Sequence, residues 1–198
     1  PCLFMLWNPV FYKYPVSKYN ICCASKWQAD RFEKLYDQKA IVDWRWIDTE
    51  FYTPSTKTRN ERFLFLGGLR GPKGAYEAIE YAKELKVELD VVGGLIPSEE
   101  RGNEYLELLK GEADGDRIKV HYNVTEEEKL RFLHTAKAMI YPVQQDEAHC
   151  LAMIEAWVTG LPVLTYNRGA NMEIMYEKGF VVDTKEQFLK RMGEIDQY

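Results

Sequence analysis

Residues 62–94, RFLFLGGLRGPKGAYEAIEYAKELKVELDVVGG, contain one complete strand–helix–strand unit. Arg62–Leu66 is a short apolar run closed by Gly67-Gly68, which is typical of a buried strand. Lys73–Leu85 follows with apolar residues at helical spacing. A second apolar run, Val87–Val92, predicts the next strand. Two buried strands joined by a helix predict a parallel strand pair.

The same alternation continues to the C-terminal end of the sequence. The helices predicted there are Ser98–Lys110, Thr125–His134, Glu147–Thr159, Asn171–Glu177 and Lys185–Met192, and the strands are Arg117–Tyr122, Ala138–Tyr141, Leu161–Thr165 and Gly179–Val182. Six strand–helix repeats joined by right-handed crossovers predict an open, doubly wound parallel α/β sheet of the Rossmann-like kind. Sheets of this kind bind ligands at the carboxyl ends of their strands, so the loops there are the first candidates for a site.

Residues 1–60 lack this alternation. Their predicted elements are strands at Cys2–Trp7 and Tyr19–Ala24, a helix capped by Ser25 and running through about Asp37, and a connector, Val42–Pro54, with Trp44, Trp46, Phe51 and Tyr52 as hydrophobic anchors. Two strands and a helix are too little for a stable domain. We therefore expect a partial N-terminal segment, 1–60, that packs on the main domain, pairs with another chain or belongs to a missing domain. The main domain is predicted to span 61–198.

Composition excludes several classes of protein. The 198 residues carry 26 basic and 31 acidic side chains, and no basic block favours nucleic acid binding. No apolar run reaches the roughly 18 residues of a membrane helix. The four cysteines, Cys2, Cys22, Cys23 and Cys150, form no CxxC pair, which excludes a zinc finger or a disulfide framework and favours the cytoplasm. We expect each to be a small core residue.

The first candidate site is the loop Gly67–Gly74, between the first strand of the main domain and its helix. Its glycines let the backbone approach a ligand, and Arg70 and Lys73 place positive charge beside a helix N-terminus that already favours anions. This pattern indicates a phosphate or diphosphate site, although it matches neither a Walker A loop nor GxGxxG. A glycine-rich turn with two solvated cations is an equally good interpretation.

The second candidate is the pair Glu147 and Glu155. Glu155 is the only charge in the apolar run Leu151–Val158, and a carboxylate there needs hydrogen-bond donors, such as ligand hydroxyls. Eight residues of helix rise roughly 12 Å, and if Glu147 lies in the loop before the helix, the two carboxylates would hold opposite ends of one ligand. The alternative is a helix-capping Glu147 and a structural Glu155 paired with a lysine or arginine.

The loop Asn167–Asn171, with Glu173 after it, follows a later strand on the same face. It would offer backbone N–H groups to a phosphate or sugar, or else form an ordinary turn with Gly169 at positive φ. His149 is the one histidine expected in a site. No spacing of His, Cys, Asp and Glu suggests a metal, and Asp114-Gly115-Asp116 is expected to be a turn.

In this order the loops resemble the C-terminal, donor-binding half of family 4 retaining glycosyltransferases of the GT-B fold, from about Tyr19 onward. Trp46–Pro54 is similar to the family's Asn-Gly-Val-Asp-x-x-x-Phe-x-Pro signature, and Phe63–Gly74 to its strand followed by Gly-Arg-Leu-x-x-x-Lys-Gly. Glu147–Glu155 lies where the family has paired glutamates, and Gly160–Val163 continues that motif. Lys119–Val124 resembles the strand and loop that line the base pocket.

The resemblance implies transfer of a sugar from a nucleotide-sugar to an acceptor hydroxyl with retained anomeric configuration, without a metal or other cofactor. It implies that Lys73 binds the diphosphate, Glu147 the sugar hydroxyls and Glu155 the ribose. The other residues that it places near the donor are Gly68, Tyr122, Val124, His149, Cys150, Leu151 and Gly169. The acceptor, a glycan, lipid or small molecule, is not specified, and a cytoplasmic protein, peripheral at the membrane or free of it, is expected.

Three departures from the family pattern bear on this expectation. Gly68 stands where the family usually has Arg, and Arg70 is a candidate replacement. His149-Cys150 stands where it usually has Phe-Gly, which narrows the room for the sugar. Most of the acceptor-binding half is missing, which leaves open a nucleotide-sugar binding module without activity, or a nucleotide-sugar epimerase.

Overall fold

The computed structural model describes residues 3–6, 20–95, 100–175 and 180–197, which form two parallel sheets. The first sheet has the order β1-β2-β3 and the second the order β6-β5-β4-β7-β8-β9. The strands are β1 Leu3–Leu6, β2 Asn20–Cys23, β3 Ala40–Val42, β4 Phe63–Leu66, β5 Leu89–Gly93, β6 Ile118–Tyr122, β7 Met139–Tyr141, β8 Val163–Tyr166 and β9 Phe180–Val182. The helices are α1 Lys26–Tyr36, α2 Ala75–Leu85, α3 Glu100–Glu112, α4 Glu126–Thr135, α5 Leu151–Val158, α6 Asn171–Met175 and α7 Lys185–Gly193, with short 3-10 turns at Gly71–Lys73 and Ile195–Gln197.

The larger sheet has the predicted doubly wound topology. The chain enters at β4 in the middle, moves outward through β5 and β6, and returns on the other side of β4 as β7, β8 and β9. Every strand pairing is parallel. The direction of winding reverses between β4 and β7, and such a reversal leaves a crevice at the carboxyl ends of the two strands.

The core confirms that the central strands are apolar on both faces. All residues of β4, β7 and β8 are buried, and the Phe65 and Tyr141 rings stack with centroids 5.8 Å apart. Each fully buried Leu or Phe side chain contributes about 1.5–3 kcal/mol to the free energy of unfolding. A rigid, buried pair of strands therefore supports the loops at the crevice.

The predicted boundaries of two helices at the crevice are wrong. The helix predicted from Lys73 starts at Ala75, because Gly74 lies at φ +88° and separates it from the 3-10 turn. The helix predicted from Glu147 starts at Leu151, because Glu147 instead forms an isolated parallel bridge with Gly169. The helix therefore does not span the two glutamates, and Glu147 lies in the loop before it.

The N-terminal segment forms a small layer of its own. Helix α1 begins after Ser25, whose hydroxyl accepts a hydrogen bond from the Gln28 N–H as predicted, and it packs on β2 through Phe32. Strand β3 was not predicted, because it is three residues long and only partly buried. Glu173 of α6 accepts hydrogen bonds from the N–H groups of Lys26 and Trp27, at 2.7 and 2.8 Å, which joins this layer to the main sheet. The domain boundary at residue 60 stays a prediction.

The connector corrects one expectation. Trp44 and Trp46 were expected to be anchors, but they are 47% and 88% exposed. Residues 43–48 lie outside helices and strands, and Arg45 and Ile47 are half-buried between these exposed neighbours. The Trp44 ring nevertheless has its centroid 6.4 Å from that of His149, so Trp44 contacts the main domain, whereas Trp46 is almost fully exposed. Tyr52 is buried as expected.

Candidate functional site

Two neighbouring cavities open at the carboxyl ends of the central strands, the first beside β4 and β7 and the second beside β4 and β5. The first, of about 240 Å³, is named here the Lys73 cavity, and its lining includes Arg45, Lys73, Tyr141 and residues 148–152. The second, of about 300 Å³, is the Glu155 cavity, lined among others by Asn123, Val124, Glu126, Lys129 and Glu155. Gly67, Gly68 and Ala152 line both, so the two cavities are adjacent. Of the eleven predicted site residues, seven line one or both cavities: Gly68, Lys73, Val124, His149, Cys150, Leu151 and Glu155.

Lys73 and Glu147 form a buried ion pair at the floor of the crevice. The 3-10 turn at Gly71–Lys73 brings the Lys73 Nζ to 2.5 Å from Glu147 Oε1, and the Tyr141 hydroxyl donates to the same oxygen at 3.1 Å. Glu147 is 4% exposed, so it depends on these two donors. Burial raises the pKa of Tyr141 far above its ordinary value, which keeps the phenol protonated and able to donate. Glu147 thus fixes the position of the lysine ammonium.

Gly169 fixes the backbone of Glu147. The Ala170 N–H donates to the Glu147 carbonyl at 2.7 Å, and Gly169 has φ +60°. A Cβ at residue 169 would lie 2.3 Å from the Glu147 carbonyl oxygen and 2.5 Å from its nitrogen. No side chain fits there, so the position requires glycine. Gly169 does not line either cavity, and its predicted contact with a ligand stays a prediction.

The N-terminus of α5 faces the Lys73 cavity through His149, Cys150, Leu151 and Ala152. Cys150 occupies the N-cap position without a side-chain cap, so the first N–H groups of the helix are available to an anion. Burial and the nearby Glu147 raise the pKa of the Cys150 thiol to about 11, which leaves it neutral. Burial and the positive charge of Arg45 lower the pKa of His149 to about 4, so the imidazole is also neutral at pH 7.

Glu155 belongs to a four-residue cluster that borders the second cavity. Its Oε1 accepts a hydrogen bond from the Lys129 Nζ at 3.2 Å and lies 3.1 Å from the Tyr52 hydroxyl oxygen. Lys129 also contacts Glu126 at 2.7 Å. Burial acts to lower the pKa of Lys129, but its contacts with Glu126, Tyr52 and Glu155 outweigh this effect and raise the pKa above the ordinary value. The contact with Lys129 fits the alternative in which Glu155 is a structural residue paired with a lysine. Glu155 also lies on the cavity wall, where a ligand can reach it.

Four predicted residues do not line either cavity: Glu147 and Gly169, described above, and Tyr122 and Arg70. Tyr122, at the end of β6, is 42% exposed and is not part of the cavity walls, whereas Val124 is. Arg70 precedes the 3-10 turn with extended backbone, and its side chain does not line the cavities either. Their contacts with a ligand stay predictions.

Six polar cavity or cluster residues were missed by the sequence analysis: Arg45, Tyr52 in its polar role, Asn123, Glu126, Lys129 and Tyr141. Asn123 has φ +53°, a conformation in which Asn is enriched, so its position after a strand was a usable signal. Lys129 lies one turn into an ordinary surface-like helix, and no local pattern marks it. Among the described ranges, no group of three or more His, Cys, Asp and Glu side chains is arranged to hold a metal ion.

A model of a known protein family matches most of the chain. Residues 48–195, three quarters of the chain, match the model described as "Glycosyl transferases group 1". The chain belongs to the group 1 glycosyltransferase family. Its larger sheet is one Rossmann-like half of the GT-B fold. A comparison with curated protein sequences finds no match.

Several solved structures of other proteins show the same fold. HepE from Anabaena, in complex with UDP-glucose, superposes with a TM-score of 0.81 at 14% identity, over 100% of this chain and 62% of that one. AviGT4, a glycosyltransferase involved in avilamycin A biosynthesis, gives 0.69 at 23% identity, over 89% and 52%. Sucrose-phosphate synthase from Thermosynechococcus elongatus gives 0.72 at 18% identity, over 89% and 48%. The chain therefore spans about half the length of the proteins that it resembles.

The helices of the described ranges are too short or too polar to cross a membrane.

The three cysteines whose surroundings are described, Cys22, Cys23 and Cys150, are free and buried, as expected for core residues. The turn predicted at Asp114-Gly115-Asp116 is confirmed, because Asp114 accepts hydrogen bonds from the N–H groups of Asp116 and Ile118.

Proposed function

We propose that this glycosyltransferase chain binds a nucleotide-sugar and carries the donor half of a retaining hexosyltransferase. One observation supports this most: two adjacent cavities at the carboxyl ends of the central strands, one with a lysine and a helix N-terminus and the other with a glutamate. A nucleotide-sugar has the matching sequence of chemical groups, with a diphosphate between a ribose and a second sugar. The HepE structure, which holds UDP-glucose, has the same fold.

Each cavity has a distinct role in the proposal. In the Lys73 cavity, the Lys73 ammonium and the first N–H groups of α5 bind the diphosphate. Glu147 orients that ammonium and accepts hydrogen bonds from sugar hydroxyls. In the Glu155 cavity, the Glu155 carboxylate accepts hydrogen bonds from the ribose hydroxyls, and the loop at Asn123 and Val124 borders the base.

The reaction breaks the bond between the anomeric carbon and the diphosphate oxygen and forms a bond from the acceptor oxygen on the same face of the sugar, while the proton of the acceptor hydroxyl passes to the departing diphosphate. The diphosphate leaves with the electron pair, so negative charge grows on it in the transition state. Fixed cations and N–H dipoles aimed at that charge are the main catalytic contribution that this chain offers. The anomeric proton coupling of the product, measured by NMR, tests the retention.

The proposal does not assign the acceptor site to this chain alone. Because the chain spans about half the length of its structural relatives, we propose that a further domain or a partner chain binds the acceptor. The free, buried cysteines fit a reducing compartment, and we propose the cytoplasm. Tight donor binding without turnover by this chain, and turnover once the missing part is supplied, would support this division.

The proposal is tested by calorimetric titration of the chain with UDP, GDP and ADP, each with and without an attached sugar. We expect saturable binding of one of these nucleotides. Glu155→Gln should weaken that binding about tenfold or more, since hydrogen bonds to a charged carboxylate contribute about 1.5–3 kcal/mol each. Glu107→Gln is the matched control, because Glu107 is an exposed helix glutamate that also contacts a lysine.

Absence of binding for all six ligands would refute the donor-binding role. Equal affinities of the wild type and Glu155→Gln would refute only the ribose role of Glu155. Thermal unfolding of both variants shows whether the fold is intact in each case.

A further inference from the structure

The connector contributes a second cation to the Lys73 cavity. Arg45 is half-buried between the exposed Trp44 and Trp46, and its side chain lines the same cavity as Lys73. It lies before residue 48, where the match to the family model begins. Neither a regular spacing of residues in the connector nor a family motif therefore indicates a role for Arg45.

The charge of Lys73 is largely balanced within the protein. Its Nζ lies 2.5 Å from the carboxylate of Glu147, whose side chain is almost fully buried. A lysine and a glutamate at this distance carry no net charge together. A diphosphate brings more than one negative charge, so the ion pair alone leaves most of that charge without a counterion.

The other described groups that line the cavity add no charge of their own at neutral pH. The Tyr141 phenol and the Cys150 thiol stay protonated, and His149 is a neutral imidazole. Arg45 is thus the remaining cation of the lining. Asp43, an exposed acid two residues earlier in the connector, and the Cys22 thiol act on Arg45 in the direction that raises its pKa, against the larger effect of burial.

Two further observations place the charge of Arg45 at the cavity. Its field contributes to the lowered pKa of His149, a residue of the cavity wall. Burial lowers the pKa of Arg45 itself, which means that the guanidinium is partly desolvated and that a bound anion would offset this cost.

From this placement we infer that Arg45 binds the diphosphate of the nucleotide-sugar, in the role for which Arg70 was the candidate. The inference rests on the proposed function. A guanidinium presents parallel N–H donors that match two phosphate oxygens, which makes arginine well suited to this contact. Arg70 follows Gly68 and Leu69 in the loop but does not line the cavity.

The test measures the affinity of the wild type for UDP, GDP and ADP and for uridine, guanosine and adenosine. Arg45→Ala should weaken binding of the preferred nucleoside diphosphate about 10- to 100-fold, the range expected for one charge-assisted contact, and leave its nucleoside within about twofold. Arg45→Lys should lose less, because the charge is kept. Arg31→Ala is the matched control: it removes an exposed arginine of the same N-terminal segment, and we expect unchanged affinities.

A second variant tests whether the charge itself is what matters. Gly68 lines both cavities, and a Cβ built on it meets no heavy atom within 4 Å. Arg45→Ala combined with Gly68→Arg should therefore restore most of the lost affinity. A folded double variant that binds no better than Arg45→Ala would overturn the charge argument.

Three further outcomes are decisive. If Arg45→Ala binds as tightly as Arg31→Ala, or if Arg70→Ala shows the loss instead, the inference is wrong while the proposed function stands. If Arg45→Ala weakens the nucleoside as much as the diphosphate, Arg45 acts through packing and the inference is again wrong. If the wild type binds no nucleoside diphosphate, the proposed function fails, and the inference fails with it.

Discussion

Substitution of Gly169 by alanine tests how Glu147 is positioned. Gly169 has φ +60°, and its missing Cβ would lie 2.3 Å from the carbonyl oxygen of Glu147. The loop must move by about 1 Å before this becomes an ordinary contact of 3.4 Å or more. That movement pulls on the bond from the Ala170 N–H and on the ion pair with Lys73.

The size of the effect follows from two costs. A left-handed backbone conformation costs a non-glycine residue roughly 1–2 kcal/mol. Forcing an extra methyl group into a packed site costs about 1–3 kcal/mol more. We therefore expect Gly169→Ala to lower the free energy of unfolding by about 2–5 kcal/mol. Gly115→Ala is the matched control, because Gly115 has φ +74° and open space around its Cβ position, and it should lose only about 1–2 kcal/mol.

The assay is denaturant unfolding of both variants and the wild type, followed by calorimetric titration with the nucleotide-sugar that the wild type binds. Gly169→Ala should also weaken that binding, whereas Gly115→Ala, on a distant turn, should not. If the two variants differ in stability by less than about 0.5 kcal/mol, the close packing of Gly169 on Glu147 does not constrain the loop, and the argument is refuted.

Two further variants probe the charges at the Lys73 cavity. Lys73→Met removes the ammonium but keeps an unbranched side chain of nearly the same length. The affinity for the nucleoside diphosphate, measured by calorimetry, should therefore fall about tenfold or more, while the affinity for the nucleoside changes little. Equal losses for both ligands would indicate a packing effect instead. Burial and Arg45 lower the pKa of His149 to about 4, against about 6.5 in an unfolded chain. The folded state therefore binds fewer protons between these values, and wild-type stability should fall as the pH drops from 6.5 towards 4. His149→Gln should flatten this part of the pH profile of denaturant unfolding, and an unchanged slope would contradict the shift.

The sequence was sufficient to predict the main sheet, because its signals are local. Apolar runs such as Phe63–Leu66 are short, fully buried and bounded by glycine, and the capping box of Thr125 and Glu128 marks the start of a helix. Several such units in series leave few possible topologies. The structure has the predicted doubly wound order, with strand boundaries shifted by one or two residues.

The site was predictable only where the functional residues belong to those local units. Lys73, Glu155 and the start of α5 lie in strand-to-helix loops or on the helix that follows, and the fold alone brings them to the crevice. Arg45 and Tyr52 come from the irregular connector, which precedes the strand–helix units in the sequence. There, no periodicity indicates which side chains face inward, and hydrophobicity favoured the tryptophans, which are exposed.

The connector has a consequence for how this protein can be divided. Arg45 lines the Lys73 cavity together with Ala24, and the Tyr52 hydroxyl donates a hydrogen bond to Glu155, which lines the other cavity. A fragment cut at the predicted boundary, residues 61–198, would keep the whole six-stranded sheet, but it would lose Ala24 and Arg45 from the lining of the Lys73 cavity and the hydrogen bond from Tyr52 to Glu155. A chimera that keeps the complete lining of the Lys73 cavity therefore needs its junction before Ala24. The predicted domain boundary and the boundary of the cavity lining differ in this chain.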